Sequence, residues 1–249
     1  MIKSSLTMNN EMYELRPRLF PRQITFEHYK QLFTGTPFMG YFKNSVYVAI
    51  LATTVALVFG ILSSYAMTRL RFPGRSFIKR AVLYVYLLPH AVLFIPMYIM
   101  VSRFLGLSDN KNSLILVYQT SIIPYCCYML MSYFTAIPKS MEEAAFIDGC
   151  THIQALIKVI LPIAAPSIAV VATFAFTMSW NEYLYALVLT TSPSQQTVAI
   201  GISSFRYSDN MIWGLIMSSS VIASLPAVCL YMLAQRFMVT GLASGGVKQ

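Results

Sequence analysis

The sequence predicts an all-α membrane protein, a helical bundle with about five spans in this chain. Three observations carry that expectation. Of the 249 residues, 57% are hydrophobic and only 11% charged, with a mean hydropathy of +0.61; a soluble domain carries about 25% charged residues. Five stretches long enough for a bilayer contain no Asp, Glu, Lys or Arg. The net charge of +9 comes from residues between and beyond those stretches, where basic side chains sit at the lipid interface and orient the spans. Disorder, a disulfide mini-protein and a soluble nucleic-acid binder are excluded by the same composition.

A bilayer core of roughly 30 Å needs about 20 apolar residues per helix. The five stretches are Ser45–Thr68, Ala81–Ser102, Ser113–Ile137, Val159–Asn181 and Met211–Gln235. Pro89, Pro96, Pro124, Pro166 and Pro226 lie inside them and predict kinks, since neighbouring helices in a bundle can satisfy the freed carbonyls. With no internal repeat or low-complexity stretch, residues 45–249 read as one membrane domain behind an N-terminal segment, residues 1–44.

Orientation follows from the links. Arg69, Arg71, Arg75, Lys79 and Arg80 crowd the short first link, which the positive-inside rule places in the cytoplasm. Alternation then puts the 138–162 loop and the 236–249 tail inside. Leaving out residues 1–44, the inner side holds nine Lys or Arg and the outer side three, namely Arg103, Lys111 and Arg206. The N-terminal segment is placed outside by this count although no apolar leader precedes it; either it is exported without a leading helix or it follows a span absent from this chain, and the second is the expectation.

Within the first stretch, Ala52, Ala56, Gly60, Ser64 and Thr68 recur every fourth residue. A stripe of small side chains lets a second helix approach closely in lipid.

The loop between the third and fourth stretches carries the densest local signal. Ser140 and Glu143 have capping-box spacing, as do Thr151 and Gln154, so a helix is expected from about Met141 and another from His152. Gly149 suits the left-handed residue that ends the first, and Pro162 suits a bend at the membrane surface. Ala144 and Ala145 keep one face small while Phe146 and Ile147 offer apolar anchors. Glu142, Glu143 and Asp148 would be repelled by an anionic leaflet, whereas an interfacial helix wants Lys and Arg. The helix is therefore expected to dock in a groove of another protein.

Glu143-Ala144-Ala145, then Gly149, then Val159-Ile160-Leu161-Pro162 resembles the EAA loop of permease subunits in bacterial ABC importers. Asn44-Ser45, Arg69–Arg75, Gly106-Leu107, Trp180-Asn181-Glu182 and the tail Gly241–Lys248 resemble carbohydrate-importer permeases of the maltose-transporter type. The resemblance covers roughly residues 21–249. It implies a type I importer bundle, usually of six spans, working by alternating access in the bacterial cytoplasmic membrane with its C-terminus in the cytoplasm.

The resemblance also implies partners: a second similar permease, two ABC ATPase subunits that carry the ATP and magnesium, an extracytoplasmic sugar-binding protein, and lipid. No cofactor and no nucleic acid belong to this chain. Glu143, Ala144, Ala145, Phe146, Asp148, Gly149, Leu161 and Pro162 are implied to couple to the ATPase, and Gly241, Gly245 and Gly246 to form a flexible tail touching it. That tail ends Gly246-Val247-Lys248-Gln249 and lacks the G-x-x-x-x-G-K-[ST] of a nucleotide loop.

Sugar recognition calls for aromatic faces beside amides and carboxylates. Trp180, Asn181, Glu182 and Tyr185 close the fourth stretch, with Glu182 the one acid in an otherwise apolar run. His90, Tyr118, Gln119 and Tyr125 are further candidates for the substrate path. The alternative function is a stand-alone secondary transporter or channel, which would call for inverted repeats and intramembrane acids. A membrane-bound enzyme finds no support, since His28, His90 and His152 are scattered and no catalytic constellation is visible. Cys126, Cys127, Cys150 and Cys229 lack metal-site spacing and read as small packing residues. The absence of an intramembrane Arg or Lys near the outer cavity favours a neutral oligosaccharide or disaccharide over glycerol-3-phosphate.

Overall fold

In a computed structural model of the chain, residues 1–8, 11, 20–206 and 213–245 are described, with side chains except at 90, 91 and 236–245. The described residues are almost all helical: α1 Ile2–Ser5, α2 Glu27–Gly35, α3 Phe38–Arg69, α4 Arg75–Leu87, α5 His90–Ile99, α6 Lys111–Ala136, α7 Lys139–Ile147, α8 His152–Ala155, α9 Leu161–Trp180, α10 Leu184–Leu189, α11 Val198–Ser204 and α12 Trp213–Gly245. Among the described residues, four helical runs are long and apolar enough to cross a membrane: Phe38–Arg69, Lys111–Ala136, His152–Trp180 and Trp213–Gln235.

The second expected span differs from its prediction. It is two helices, α4 and α5, broken at Leu88-Pro89, where Leu88 is extended with φ −67° and ψ 131°. A residue before proline is disfavoured in the helical region by the proline ring, and Leu88 takes the extended conformation that this favours. Pro96, Pro124, Pro166 and Pro226 instead lie inside continuous helices. The first span starts seven residues earlier than expected, at Phe38.

One proline-linked departure widens the backbone. Residues Leu156–Ile160 form a π-helical turn joining α8 to α9, with the Leu161 N–H reaching back to the Leu156 carbonyl. Pro162 has no N–H to give, and a π turn just before it shifts which carbonyl goes unserved. The bend expected at Pro162 is thus a widened turn within one helical run, His152–Trp180.

The chain divides into two compact units. One comprises Met1–Ala49, Pro96–Val117 and Trp180–Val228. In it the Nδ2 of Asn44 donates to the carbonyls of Ser194 and Gln196 at 2.9 Å each, and its Oδ1 accepts from Lys111 Nζ at 2.8 Å. Ser45 Oγ accepts the N–H of Val198, the first residue of α11. The pair expected to open a span therefore lies inside α3 and pins the 190–198 segment. His28 is buried and bonds the Thr7 carbonyl through Nε2 at 2.9 Å.

The other unit comprises Ile50–Ile95, Tyr118–Ser179 and Cys229–Gln249. The small-residue stripe builds its core as expected: Ala52, Ala56, Gly60, Ser64 and Thr68 are all buried. Ser64 Oγ donates to the Cys127 carbonyl at 3.0 Å, and Gln119 Nε2 to the Ala52 carbonyl at 3.2 Å. The α3 residues of this unit thus pack on α6 through side chains that add little thickness and supply hydrogen bonds in their place.

Candidate functional site

The 138–162 segment folds as a helix, a left-handed turn and a second helix. Gly149 has φ +81°, a conformation cheap only for glycine. The N–H of Cys150 reaches the Ala145 carbonyl at 2.9 Å and that of Gly149 the Phe146 carbonyl at 3.0 Å, the paired bonds of a Schellman ending. Thr151 and Gln154 form the reciprocal box expected of them. The first box does not form. The N-cap of α7 is Pro138, with no side-chain cap bond, and the helix already begins at Lys139. Proline presets an extended entry, so Ser140 falls within the first turn and cannot cap it.

The two faces of α7 have different fates. Glu142 and Ala145 are buried, whereas Glu143, Ala144, Ile147, Asp148 and Gly149 are exposed, Ile147 to 87%. A three-residue step separates the buried pair, as one helical face requires. Ala144 and Ala145 thus fall on opposite sides. Phe146 is half-buried and sets its ring edge-on to His152, with centroids 4.8 Å apart, so of the two expected anchors it steadies the loop from within while Ile147 stands free. Leu161 is half-buried and Pro162 exposed.

Glu142 explains the buried face. Its carboxylate lies 3.2 Å from Arg69 Nε, with both side chains about 5% exposed, and it accepts a hydrogen bond from the Tyr65 hydroxyl. Arg69 Nη2 also donates to the carbonyls of Phe134 at 2.9 Å and Ile137 at 2.8 Å, where α6 ends. Arg75 does the same for α3, donating to the carbonyls of Met67, Thr68 and Leu70 at 2.7 to 3.1 Å. Two of the arginines read from sequence as interfacial charge are therefore helix C-caps, where a cation meets orphan carbonyls.

The substrate-path candidates fall in both units. In the first, Trp180 is buried, its Nε1–H bonded to the Ala223 carbonyl at 3.0 Å and its ring edge-on to Phe42 at 5.6 Å. Its polar handle already ties two helices. Asn181 is exposed. Glu182 accepts from the N–H groups of Tyr185 and Ala186 at 3.2 and 3.4 Å, so this acid serves the free N–H groups at the start of α10 and is no isolated charge in lipid. Tyr185 is buried.

In the second unit Tyr118 and Tyr125 are buried and Gln119 is half-buried. Tyr125 packs at a tilt against Tyr86 and Phe174, and Tyr86 stacks on Tyr128 with centroids 5.4 Å apart. Sequence reasoning missed Tyr86 and Tyr128, which lie 42 positions apart and share no pattern. The side chain of His90 and all of Gly246 lie outside the described residues. Gly241 and Gly245 lie in α12, which runs to Gly245; the backbone there is helical, where a flexible tail was expected.

One further cluster was not foreseen. Asp109, at φ +50°, accepts the N–H groups of Thr191 and Ser192 at 2.8 Å each and the Ser192 hydroxyl. These bonds, that of the Ser192 hydroxyl foremost, hold its carboxyl below the usual aspartate range. Among the described residues no three His, Cys, Asp or Glu come together as metal ligands.

Long apolar helices joined by a helix-turn-helix with one exposed face define a multi-pass membrane protein. The comparisons agree. Residues 35–243 match the family described as binding-protein-dependent transport system inner membrane component, and the chain belongs to that family. It is 36% identical over 250 residues to the inner membrane ABC transporter permease protein YcjP of Escherichia coli, covering 100% of this chain and 89% of that one. It is 35% identical over 233 residues to the trehalose transport system permease protein SugB of Mycobacterium tuberculosis, covering 93% and 85%.

The fold matches a chain in the crystal structure of a bacterial ABC transporter that imports alginate, with a TM-score of 0.82 at 21% identity, covering 94% of this chain and 87% of that one. The protein is an ABC transporter permease subunit, a multi-pass component of the inner membrane.

Proposed function

We propose that this chain forms half of the translocation pathway of an ATP-driven, binding-protein-dependent carbohydrate importer. In this reading α7 is the coupling helix seated on a cytoplasmic ATPase subunit. Two ATPases hydrolyse ATP, a second permease completes the pathway, and an extracytoplasmic binding protein delivers a neutral oligosaccharide or disaccharide. The C-terminus lies in the cytoplasm and residues 1–44 outside.

The observation that carries the reading is the exposure of Ile147, Glu143 and Ala144 on one face of a helix whose other face is buried. Ile147, 87% exposed on the same face of a nine-residue helix as Glu143 and Ala144, offers an apolar anchor to a groove in a partner. A secondary transporter working alone would have no use for such a projection.

The test is Gly149→Asp in the complete complex. No atom lies within 4 Å of a Cβ built at Gly149, and Asp tolerates the left-handed region better than most residues. Insertion and folding are therefore expected to survive while ATP-dependent uptake is lost. Uptake at the wild-type rate would count against coupling through this loop.

A further inference from the structure

The joint of Arg69, Tyr65 and Glu142 asks for a reason beyond stability. A buried ion pair is weak support for a fold, because apolar residues of similar volume often do as well or better. What such a pair supplies is fixed geometry: pulling it apart leaves each charge unpaired in a medium that cannot solvate it. Here the guanidinium is held twice over, since it also binds the carbonyls of Phe134 and Ile137. Three segments distant in sequence meet at one cation: the last turn of α3, the end of α6 and the first turn of α7.

The links of α7 fix its two ends only locally and tie it to neither α3 nor α6. On one side stands Pro138, an extended N-cap without a side-chain bond. On the other stands Gly149 at φ +81°, with open space around it. A force applied to the exposed face of α7 would swing the helix about these two points unless its buried face were held.

We infer that Arg69, Glu142 and Tyr65 are positioning residues that lock α7 to the ends of α3 and α6, so that a push on Ile147 displaces the spans and does not merely turn the loop. The inference rests on the reading of α7 as the coupling helix. Glu142 and Glu143 thus have divided duties, the first facing the spans and the second facing the partner.

The test uses the complete complex in nanodiscs with a Cys150→Ser/Cys229→Ser background, the two remaining cysteines being buried. Spin labels at Met141→Cys and Arg71→Cys, both exposed positions, report across the joint. A second pair, one label on each permease, reports the alternating-access motion. Distances are read without nucleotide and after trapping with ATP and vanadate.

In the wild-type complex the distance across the joint is expected to hold within about 2 Å while the distance between permeases changes. Glu142→Gln keeps an acceptor for Tyr65 and removes the charge. Arg69→Met/Glu142→Leu removes both charges, so no unpaired ion burdens the fold. In both, the distance across the joint should broaden or shift with nucleotide, and the trapped population between permeases should fall about tenfold. Glu142→Asp, which keeps the charge, should recover part of it.

A wild-type joint that changes with nucleotide, or variants that keep both distances as in wild type, would overturn the inference while leaving the importer reading intact. A wild-type distance between permeases that ignores nucleotide would overturn the importer reading, and this inference with it.

Discussion

Gly60 lies so close to Cys126 that a Cβ added to the glycine would stand 2.7 Å from the Cβ of Cys126. The atom it would meet is fixed to the backbone, so no rotamer change gives way. Gly60→Ala is therefore expected to destabilise the protein, overpacking by about 1–3 kcal/mol against a helix-propensity gain of about 1 kcal/mol. Cys126→Gly should restore the loss in the double variant, and Cys126→Ala should not, since it keeps the offending atom. Thermal unfolding in detergent, followed by the retained monodisperse fraction, checks both.

The Asp109 cluster predicts a pH dependence. Its carboxyl is held below the usual value by donors from Ser192 and Thr191. The folded state therefore binds the proton less readily than the unfolded chain. The clamp's contribution is complete above the ordinary aspartate range and is lost as pH falls through the depressed folded value. Protection factors of the 190–197 amides, taken after correction for the intrinsic pH dependence of exchange, should fall on acidification in the wild type, and in Asp109→Asn they should be lower at neutral pH with a flatter acid response.

Trp180→Phe separates packing from recognition. The variant keeps the edge-on contact with Phe42 but removes the Nε1–H bond to Ala223. A loss of about 1–2 kcal/mol is expected from the missing bond, with no change in the concentration of sugar needed for half-maximal uptake. A shifted sugar dependence at unchanged stability would instead restore Trp180 to the substrate path.

Ile147→Asp touches no buried group, so its effect on the stability of the isolated subunit should lie within about 0.5 kcal/mol. Association with the ATPase should weaken by about 2 kcal/mol or more, as for a central apolar contact at an interface. Pull-down of the ATPase by the labelled permease reads the difference.

Thr151→Ala removes the reciprocal cap of α8. A loss of about 1 kcal/mol is expected, with faster proteolysis in the 148–155 segment as the measurable sign.

Much of the fold was legible because the bilayer imposes a coarse rule. Runs without charge must be helical and long, and four of the five expected runs are single helices crossing the expected region. Gly149 and the Thr151–Gln154 box were equally legible, since the left-handed turn and the cap are local chemistry that a few residues decide. The stripe from Ala52 to Thr68 named the packed face of α3 because small residues at helical spacing have few other uses in lipid. Ser140 misled because capping-box spacing says nothing of the residue before it, and Pro138 had already set the helix start. The local partners of Glu182 were not legible because they belong to a six-residue helix that begins just after it and whose first N–H groups its carboxylate accepts.

The sequence by itself determined the membrane class, four of the five spans and the helix-turn-helix at 138–162, since each rests on hydropathy or on bonds reaching five residues or fewer, and the motif residues of that loop carried the family. Only the tertiary structure decided that Glu142 turns inward to Arg69 while Glu143 turns outward, that Trp180 is a tie between helices, and that Asp109 clamps a segment 82 positions away. Neighbouring identical residues carry no mark of which way they face. Direction comes from what the rest of the chain brings alongside, and a buried carboxylate is tolerable only where a cation such as Arg69 has been carried to meet it.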